Sequence, residues 1–562
     1  MRTTPERLAA EYRAQGAWSD LRIGDLFATA AAADPARLAL VDAPNRPALD
    51  GAAPRRLDWR SLAALVDATM VALADAGLRR DDILITQLPN IAEYVAIYLA
   101  CARLGVIISP VPMQFRRAEL EPVCRLTRAR ALLTVRTFKE TEPARLAAAL
   151  TDGPLVLVLG SDAPSGAQPF VTEPASGDAA RVRELEQAAA VDADDIVTIC
   201  WTSGTEGIPK GVPRSHNHWI AGSLAHFDGA QIRAGDKLLN PFPLVNMAAI
   251  GGCFMSWLRC AGTLLLHHPF ELPVYLQQIA TEQPEYAIAP PAVLMLLLQN
   301  EALLKDVDLS CLRCIGSGSA PLPPVMIKTY KERYGIEIIN NFGSNEGVAL
   351  CSGPLEAPDP EQRARLFPRF GRAELDWPQR IAKITHTRLI DPDSGEEVLE
   401  PARPGEMQIH GPVVFDGYFA APEITARSFT PDGWFRSGDL FEIDASGRYY
   451  QFVGRLKQQI NRGGMKISPD ELDAALAEHP DVAEAAVVGY PDEVLGERIC
   501  AVVVLKPGRA VTVETLQQHF SSRGFATFKW PERVRVIERL PRNPVGKVVR
   551  GEIARIAADL ER

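Results

Sequence analysis

The chain has no surplus of positive charge, no long uninterrupted apolar run, no regular cysteine spacing and no internal repeat. Each absence removes a class of function. Sixty lysines and arginines against 70 aspartates and glutamates leave a formal net charge of −10. A general nucleic-acid binder needs a basic footprint to displace counterions, so nucleic acid is not expected as a partner. The opening stretch, MRTTPERLAAEYRAQGAW, holds no apolar core of a secretory leader. The most apolar helical segment, residues 91–105, is cut by Glu93 and Arg103 and is too short to cross a bilayer. The nine cysteines are odd in number and irregularly placed, mostly in apolar company such as Cys200 and Cys500. They read as reduced, core-filling thiols of a cytoplasmic protein without a membrane span. Cys311 and Cys314 form one C-x-x-C with no second pair, and burial accounts for it better than metal or redox use.

What is present is the material for a large folded core. A chain of 562 residues, 47% apolar and 23% charged, is ordinary for a globular protein and too long for one core, so several domains or subdomains are expected. In residues 60–77, Leu62, Leu65, Val66 and Met70 recur at three- and four-residue steps, predicting an amphipathic helix that Gly77 stops. A strand-like run (DDILITQL), the helix 91–105 and a second run (VIISPVPM) follow. LVLVLG (155–160) and DIVTICW (195–201) are further buried-strand candidates. Apolar strands alternating with helices predict an α/β fold with parallel sheets covered on both faces. Residues 161–192, rich in Ser, Ala, Pro and Asp, read as a surface connection. From about residue 454 the texture changes. Ser468 is the expected N-cap of a helix, Pro469 its first residue and Glu471 the closer of a capping box. Two short strands and a helix near 513–523 complete a compact α+β unit. The expected organisation is a large N-terminal domain over 1–453 and a small C-terminal domain over 454–562.

Four short stretches carry candidate chemistry. TSGTEGIPKG, residues 202–211, follows a strand. Its glycines let backbone N–H groups approach an anion, while Thr202, Ser203, Thr205 and Lys210 add donors and charge. It lacks the G-K-[ST] of a Walker A loop, and a plain surface turn is the alternative. NNFGSNEG, residues 340–347, sets Phe342, able to stack on a base, near Glu346, able to hold Mg²⁺ shared with phosphates; a capped turn is the alternative. In DGWFRSGDLFEID, Asp439 is placed to take both hydroxyls of a ribose, or is a solvated hairpin acid. In PRNPVGKVVRGEI, Lys547 follows Gly546 in a turn, flanked by Arg542 and Arg550, where a lysine is ordinarily just solvated.

The four occur in one order over some 350 residues, and as an ordered set the chain resembles the adenylate-forming superfamily of acyl- and aryl-CoA synthetases, luciferases and peptide-synthetase adenylation domains. The likeness runs essentially end to end. GSGSAPL (316–322) resembles the family's adenine-side loop, GWFRSGDL its ribose motif, GRLKQQINRGGMKISPDEL its hinge and the start of its small domain, and NPVGK its catalytic lysine. The resemblance implies a large domain of layered sheets flanked by helices and a small, mobile α+β domain. It also implies two half-reactions: a carboxylic acid and ATP, with Mg²⁺, give acyl-AMP and pyrophosphate, and a thiol, usually of coenzyme A, then takes the acyl group. Residue by residue, Lys547 would bridge the carboxylate and the α-phosphate, and Glu346 would anchor Mg²⁺. Asp439 would hold the ribose, with Arg455 beside it. Phe342 would pack on adenine, with Ser319 and Ala320 opposite and Asn341, Gly343 and Asn345 completing the nucleotide face. Thr202, Ser203, Gly204, Thr205 and Lys210 would grip the pyrophosphate. Lys457 would be the hinge, and Gly463 and Gly464 would border the CoA tunnel.

Three residues depart from the family pattern: Glu206 where Thr or Ser is usual, Asn345 for the Thr before Glu346, and Gln458 for a frequent Asp. The stretch 238–252 should open the acyl pocket, with Asn246, Met247 and Gly318 as its expected lining. It resembles the equivalent segment of aryl-acid ligases, but Pro241 stands where they carry a hydroxyl-reading Asn, and proline cannot donate that bond. An aromatic, alicyclic or medium-chain acid in an apolar pocket is therefore expected, without a dedicated hydroxyl contact. Coenzyme A is the expected acceptor, a carrier protein the alternative, and a non-catalytic acyl-adenylate binder a further one. Either a monomer or a homodimer is compatible with this reading.

Overall fold

A computed structural model describes residues 1–150, 153–202, 209–318, 321–462, 465–492, 494–525, 527–543 and 546–559. Its contacts divide the chain into two compact units: residues 1–386 with 409–435, and residues 387–408 with 436–562.

The first unit is built on two large sheets. One orders its strands as Gln168–Phe170, Leu155–Leu159, Ala131–Thr134, Ile83–Gln87, Ile107–Pro110, Ile196–Thr202 and Lys210–Ser215. Every pairing is parallel except the last. The other runs Ala349–Ser352, Glu337–Gly343, Cys314–Gly318, Tyr286–Ile288, Lys237–Asn240, Thr263–Leu266, Leu38–Val41 and Arg56–Asp58, parallel inside and antiparallel at both edges. Strands such as Ile83–Gln87 and Thr263–Leu266 are buried at every position, which is why they read as continuous apolar runs rather than alternating ones. The helix Trp59–Asp75 is capped by the Asp58 carboxylate, which accepts from Ser61 N–H, and buries Leu62, Leu65, Val66 and Met70 as their spacing predicts. The helix Ala92–Leu104 is buried on nearly all sides, the behaviour of a helix without a polar face. The hydroxyls of its Tyr94 and Tyr98 both donate to Leu244 O, tying the helix to the loop after Lys237–Asn240. No helix among the described residues is long and apolar enough to cross a membrane.

The connection expected over 161–192 is more structured than its composition suggests. It contains the edge strand Gln168–Phe170 and the helix Asp178–Ala189, which buries Val182, Leu185 and Ala189. Three apolar side chains at helical spacing are enough to dock a helix whose other faces are solvated.

In the second unit, the strands Phe435–Ile443 and Tyr449–Arg455 form an antiparallel hairpin. Further on, Val482–Asp492 and Gly496–Leu505 form a longer one, with Arg533–Val536 added in parallel. Both faces of this sheet are covered. Val487, Ile499, Ala501 and Val503 pack with Leu472, Leu476, Leu516 and Phe520. Their sequence neighbours Ala486, Val488, Cys500 and Val502 pack with Leu540, Ile553 and Ala557 on the other side. The helix Pro469–Ala477 starts at Ser468 as expected, but the capping box does not form. Glu471 is drawn instead to Lys529 Nζ, 2.7 and 2.8 Å from its two oxygens. Ser468 Oγ is buried without a hydrogen-bond partner among the described residues, against the space left by Gly454. A charged partner for the glutamate outweighs a backbone N–H at the helix start.

Candidate active site

The strands Ile196–Thr202 and Lys210–Ser215 pair antiparallel, with Thr202 opposite Lys210, so the glycine-rich stretch is the connection of a hairpin. Ser203, Gly204, Thr205 and the aberrant Glu206 lie outside the described residues, as do Ser319, Ala320, Gly463 and Gly464. The hairpin's far end is described. Lys210 Nζ donates to Tyr418 Oη at 3.2 Å and lies 4.3 Å from the centre of that ring. Tyr418 Oη in turn donates to Glu346 Oε1 at 3.0 Å. Lys210 and Glu346, two residues expected to act on the same phosphate chain, are therefore joined through one hydroxyl. Burial, with Glu346 beside it, pushes the Tyr418 phenol well up, so it remains a donor throughout the neutral range. Tyr418 was missed by sequence reasoning: it sits in FDGYF, which none of the motifs includes.

The backbone around these side chains is tightly stitched. Phe415 N–H donates to Glu346 O, and Phe419 N–H donates to Gly211 O. Gly347 has φ +113°, and any side chain there would run into Val413 O. Arg214, fully buried, donates to Asn345 O at 2.9 Å, Val413 O at 3.0 Å and His218 O at 3.1 Å. Burial lowers its guanidinium to about 10, while the nearby Cys200 and Glu346 act to raise it. Arg214, too, was missed. In sequence it is one more arginine after a strand, and only the fold shows that it is sealed beneath Asn345 and Glu346.

Asn345 explains its own departure from the family pattern. Its Oδ1 accepts from Met247 N–H at 2.9 Å and its Nδ2 donates to Trp201 O at 3.4 Å. A carboxamide can do both at once, whereas a threonine hydroxyl offers one proton and a shorter reach. It thus links the strand that leads into the hairpin to the segment expected to open the acyl pocket. In that segment Asn246 caps a short helix by accepting from Ala249 N–H, Met247 is buried, and residues Ile250–Phe254 form a π-helical turn. Such turns are rare and cluster at functional sites. Gly318 is required by packing: the strand register sets it beside Asn341, whose carbonyl a side chain at 318 would strike. Asn341, Phe342 and Gly343 end the strand Glu337–Gly343, with Phe342 5.8 Å from Phe367, ring to ring.

In the second unit, Asp439 and Arg455 face each other across the hairpin, and Arg455 Nε lies 3.0 Å from Asp439 Oδ1. Asp439 is buried and its N–H donates to Ser437 Oγ, while the Arg455 side chain stays half exposed. Lys547 is exposed in a turn closed by Asn543, whose side chain accepts from Lys547 N–H and whose N–H donates to Lys547 O. Arg542 braces the same turn by donating to Gly546 O. Lys457 lies in the short 3₁₀ turn Leu456–Gln458, directly after Arg455.

Glu346 is the candidate donor to a magnesium ion. It offers a carboxylate of which one oxygen is fixed by Tyr418, and no group of three or more His, Cys, Asp or Glu gathers among the described residues. One hard oxygen donor suits a Mg²⁺ that takes its remaining ligands from phosphate and water, and does not suit a closed structural site.

A family model described as AMP-binding enzyme matches residues 27–419, and one described as AMP-binding enzyme C-terminal domain matches 471–547. The medium-chain fatty-acid–CoA ligase of Escherichia coli K12 is 32% identical over 557 residues, covering 97% of this chain and 92% of that protein. The 2-hydroxy-7-methoxy-5-methyl-1-naphthoate–CoA ligase of Streptomyces carzinostaticus is 30% identical, covering 97% and 94%. Among solved structures, ATP-bound MatB from Rhodopseudomonas palustris superposes with a TM-score of 0.77 at 24% identity, over 96% of this chain and all of that one, which shows a shared fold.

Proposed function

The chain belongs to the AMP-binding enzyme family of adenylate-forming ligases, and from that premise we propose that it activates an aromatic, alicyclic or medium-chain carboxylic acid with ATP and passes the acyl group to coenzyme A. The relatives named above act on a medium-chain fatty acid and on a substituted naphthoate, which supports this range of acids. The observation that carries the reading is the Lys210–Tyr418–Glu346 chain, which fixes a cation donor and a metal-competent carboxylate on one hydroxyl.

In the first step a carboxylate oxygen attacks the α-phosphorus and the bond to pyrophosphate breaks. Charge accumulates on the phosphate oxygens, so positioned positive groups are the main catalytic resource. Lys210, with Thr202, Ser203, Gly204 and Thr205, holds the departing pyrophosphate. Glu346 would hold Mg²⁺, which would supply charge neutralisation for the phosphates. Phe342, Asn341, Gly343, Ser319 and Ala320 take the base, and Asp439 with Arg455 the ribose hydroxyls. Lys547 brings its ammonium to the acid and the α-phosphate. Asn345 holds the pocket segment at Met247 in register with the nucleotide strand. In the second step the thiol of coenzyme A attacks the acyl carbon, the bond to AMP breaks, and the small domain over 454–562 has pivoted at Lys457 so that Gly463 and Gly464 border the thiol's path. The cytoplasm, where ATP and coenzyme A are at hand, is the compartment this reading requires.

The test is pyrophosphate release from ATP over a panel of aryl, alicyclic and C6–C12 acids, followed by addition of coenzyme A or a carrier protein. Release with at least one acid, and acyl-CoA on adding coenzyme A, is expected. No release with any acid overturns the reading, and transfer only to a carrier protein replaces the acceptor.

A further inference from the structure

Beside the strand that carries Phe342 lies a second cluster of polar side chains, of which the chemistry above uses only Asn341. His226, near the end of the helix His216–Gly229, is 8% exposed. Its Nδ1 is 3.8 Å from Cys351 Sγ, and the Cys351 thiol donates to Asn341 Oδ1 at 2.9 Å. With the thiol proton directed at Asn341, Sγ can only accept from the ring. That sets the ring proton on Nδ1. Nε2 is left as a bare lone pair, buried and without a partner among the described residues. Burial lowers the imidazole to about 4, so it is neutral in the working range. Buried polar atoms are ordinarily satisfied, and one left open in an otherwise bonded cluster calls for a ligand.

The surroundings belong to the acid's side of the molecule. The π-helical turn that continues from Met247–Ala249 brings Gly252 against the His226 ring: a Cβ there would lie 3.7 Å from Cγ and Nδ1, and 3.5 Å from Ile288 Cδ1. Gly316, on the strand that ends at Gly318, packs closely on the Tyr286 hydroxyl and the Asn341 amide, and a side chain there would strike them. On the reading above, the segment around Met247 opens the acid's pocket, and it runs directly into the turn whose Gly252 lies against His226.

We propose that His226 Nε2 accepts a hydrogen bond from a hydroxyl or amino group on the organic part of the acid, so that His226 sets specificity and the preferred substrates carry a donor remote from the carboxylate. The proposal rests on the acid-activating reading above. It differs from the expectation, drawn from Pro241, that there is no dedicated hydroxyl contact: the contact comes from His226 and not from position 241.

The experiment compares pyrophosphate release for matched acids differing by one donor: benzoate and 3-hydroxybenzoate, cinnamate and 4-hydroxycinnamate, octanoate and 8-hydroxyoctanoate. In the wild type, kcat/KM for the donor-bearing member of at least one pair is expected to be higher by about tenfold or more. In His226→Phe that ratio should fall to about one, mainly through a higher KM for the donor-bearing acid. His226→Gln, which keeps an acceptor, should recover part of the preference. A wild type that favours the donor-free acid in every pair overturns the proposal, whatever the variants do, and so does a ratio unchanged in His226→Phe. Release with any acid at all still upholds acid activation, so the two readings fail separately.

Discussion

Replacing Tyr418 by Phe removes one oxygen from the centre of the site and leaves the ring in place. That oxygen accepts from Lys210 Nζ at 3.2 Å and donates to Glu346 Oε1 at 3.0 Å. A hydrogen bond to a charged group contributes about 1.5–3 kcal/mol, and each ~1.4 kcal/mol is tenfold in rate. Water can replace part of the contact on the Lys210 side, so the loss of one such bond is the better measure. Tyr418→Phe should then lower kcat/KM for pyrophosphate release roughly 10- to 150-fold. Folding stability should fall by only about 1 kcal/mol, because the ring still packs on Phe415. The Mg²⁺ concentration for half-maximal rate should rise, since Glu346 loses its orienting partner. A double-mutant cycle with Lys210→Met makes the reasoning specific: if both residues act through one hydroxyl, the combined loss is smaller than the sum of the two. A loss below threefold, or strict additivity with Lys210→Met, would show that the hydroxyl only fills space.

Lys547→Ala should abolish most acyl-AMP formation yet spare thioester formation from supplied acyl-AMP; equal loss in both half-reactions, measured separately, refutes the alternation of the small domain. Asn345→Thr removes the link between Met247 N–H and Trp201 O, so KM for the acid should rise about tenfold with KM for ATP little changed, read from steady-state kinetics. Asp416 gives a pH prediction. Burial raises its carboxyl to about 6, against the hydroxyls of Thr3 and Thr4, which donate to it. A carboxyl raised in the fold favours the native state below the unfolded value near 4 and loses that advantage as pH climbs through 6. Asp416→Asn should therefore add up to about 2–3 kcal/mol at pH 8 and almost nothing at pH 4, measured by urea unfolding at both.

Much of the fold was legible because apolar periodicity reports burial directly. The helices 60–77 and 91–105 and the strands near 155 and 195 form within a residue or two of their predicted bounds. The failures have physical causes. Residues 161–192 looked like a connection because a helix needing only three buried side chains leaves a weak pattern. The capping box at Ser468 failed because Lys529, 58 residues away from Glu471, offered the glutamate a charged partner that local sequence cannot show. Among the candidate residues, Lys210, Glu346, Asp439 and Lys547 stood out through glycine-rich or turn contexts. Tyr418, Arg214 and His226 did not, because each matters through partners distant in sequence: Glu346, Val413 and Cys351.

The backbone links around Gly211, Glu346 and Gly347 bear on how a site of this kind can vary. Lys210, Tyr418 and Glu346 hang from segments bonded to one another through main-chain atoms, so their mutual arrangement is completed when the chain folds and no substrate has to assemble it. If residues around 226 and 246–254 line the acid's pocket as proposed, side chains there can change while these main-chain links stay intact. Divergence among enzymes built this way should gather on the acid's wall and leave the nucleotide's wall still.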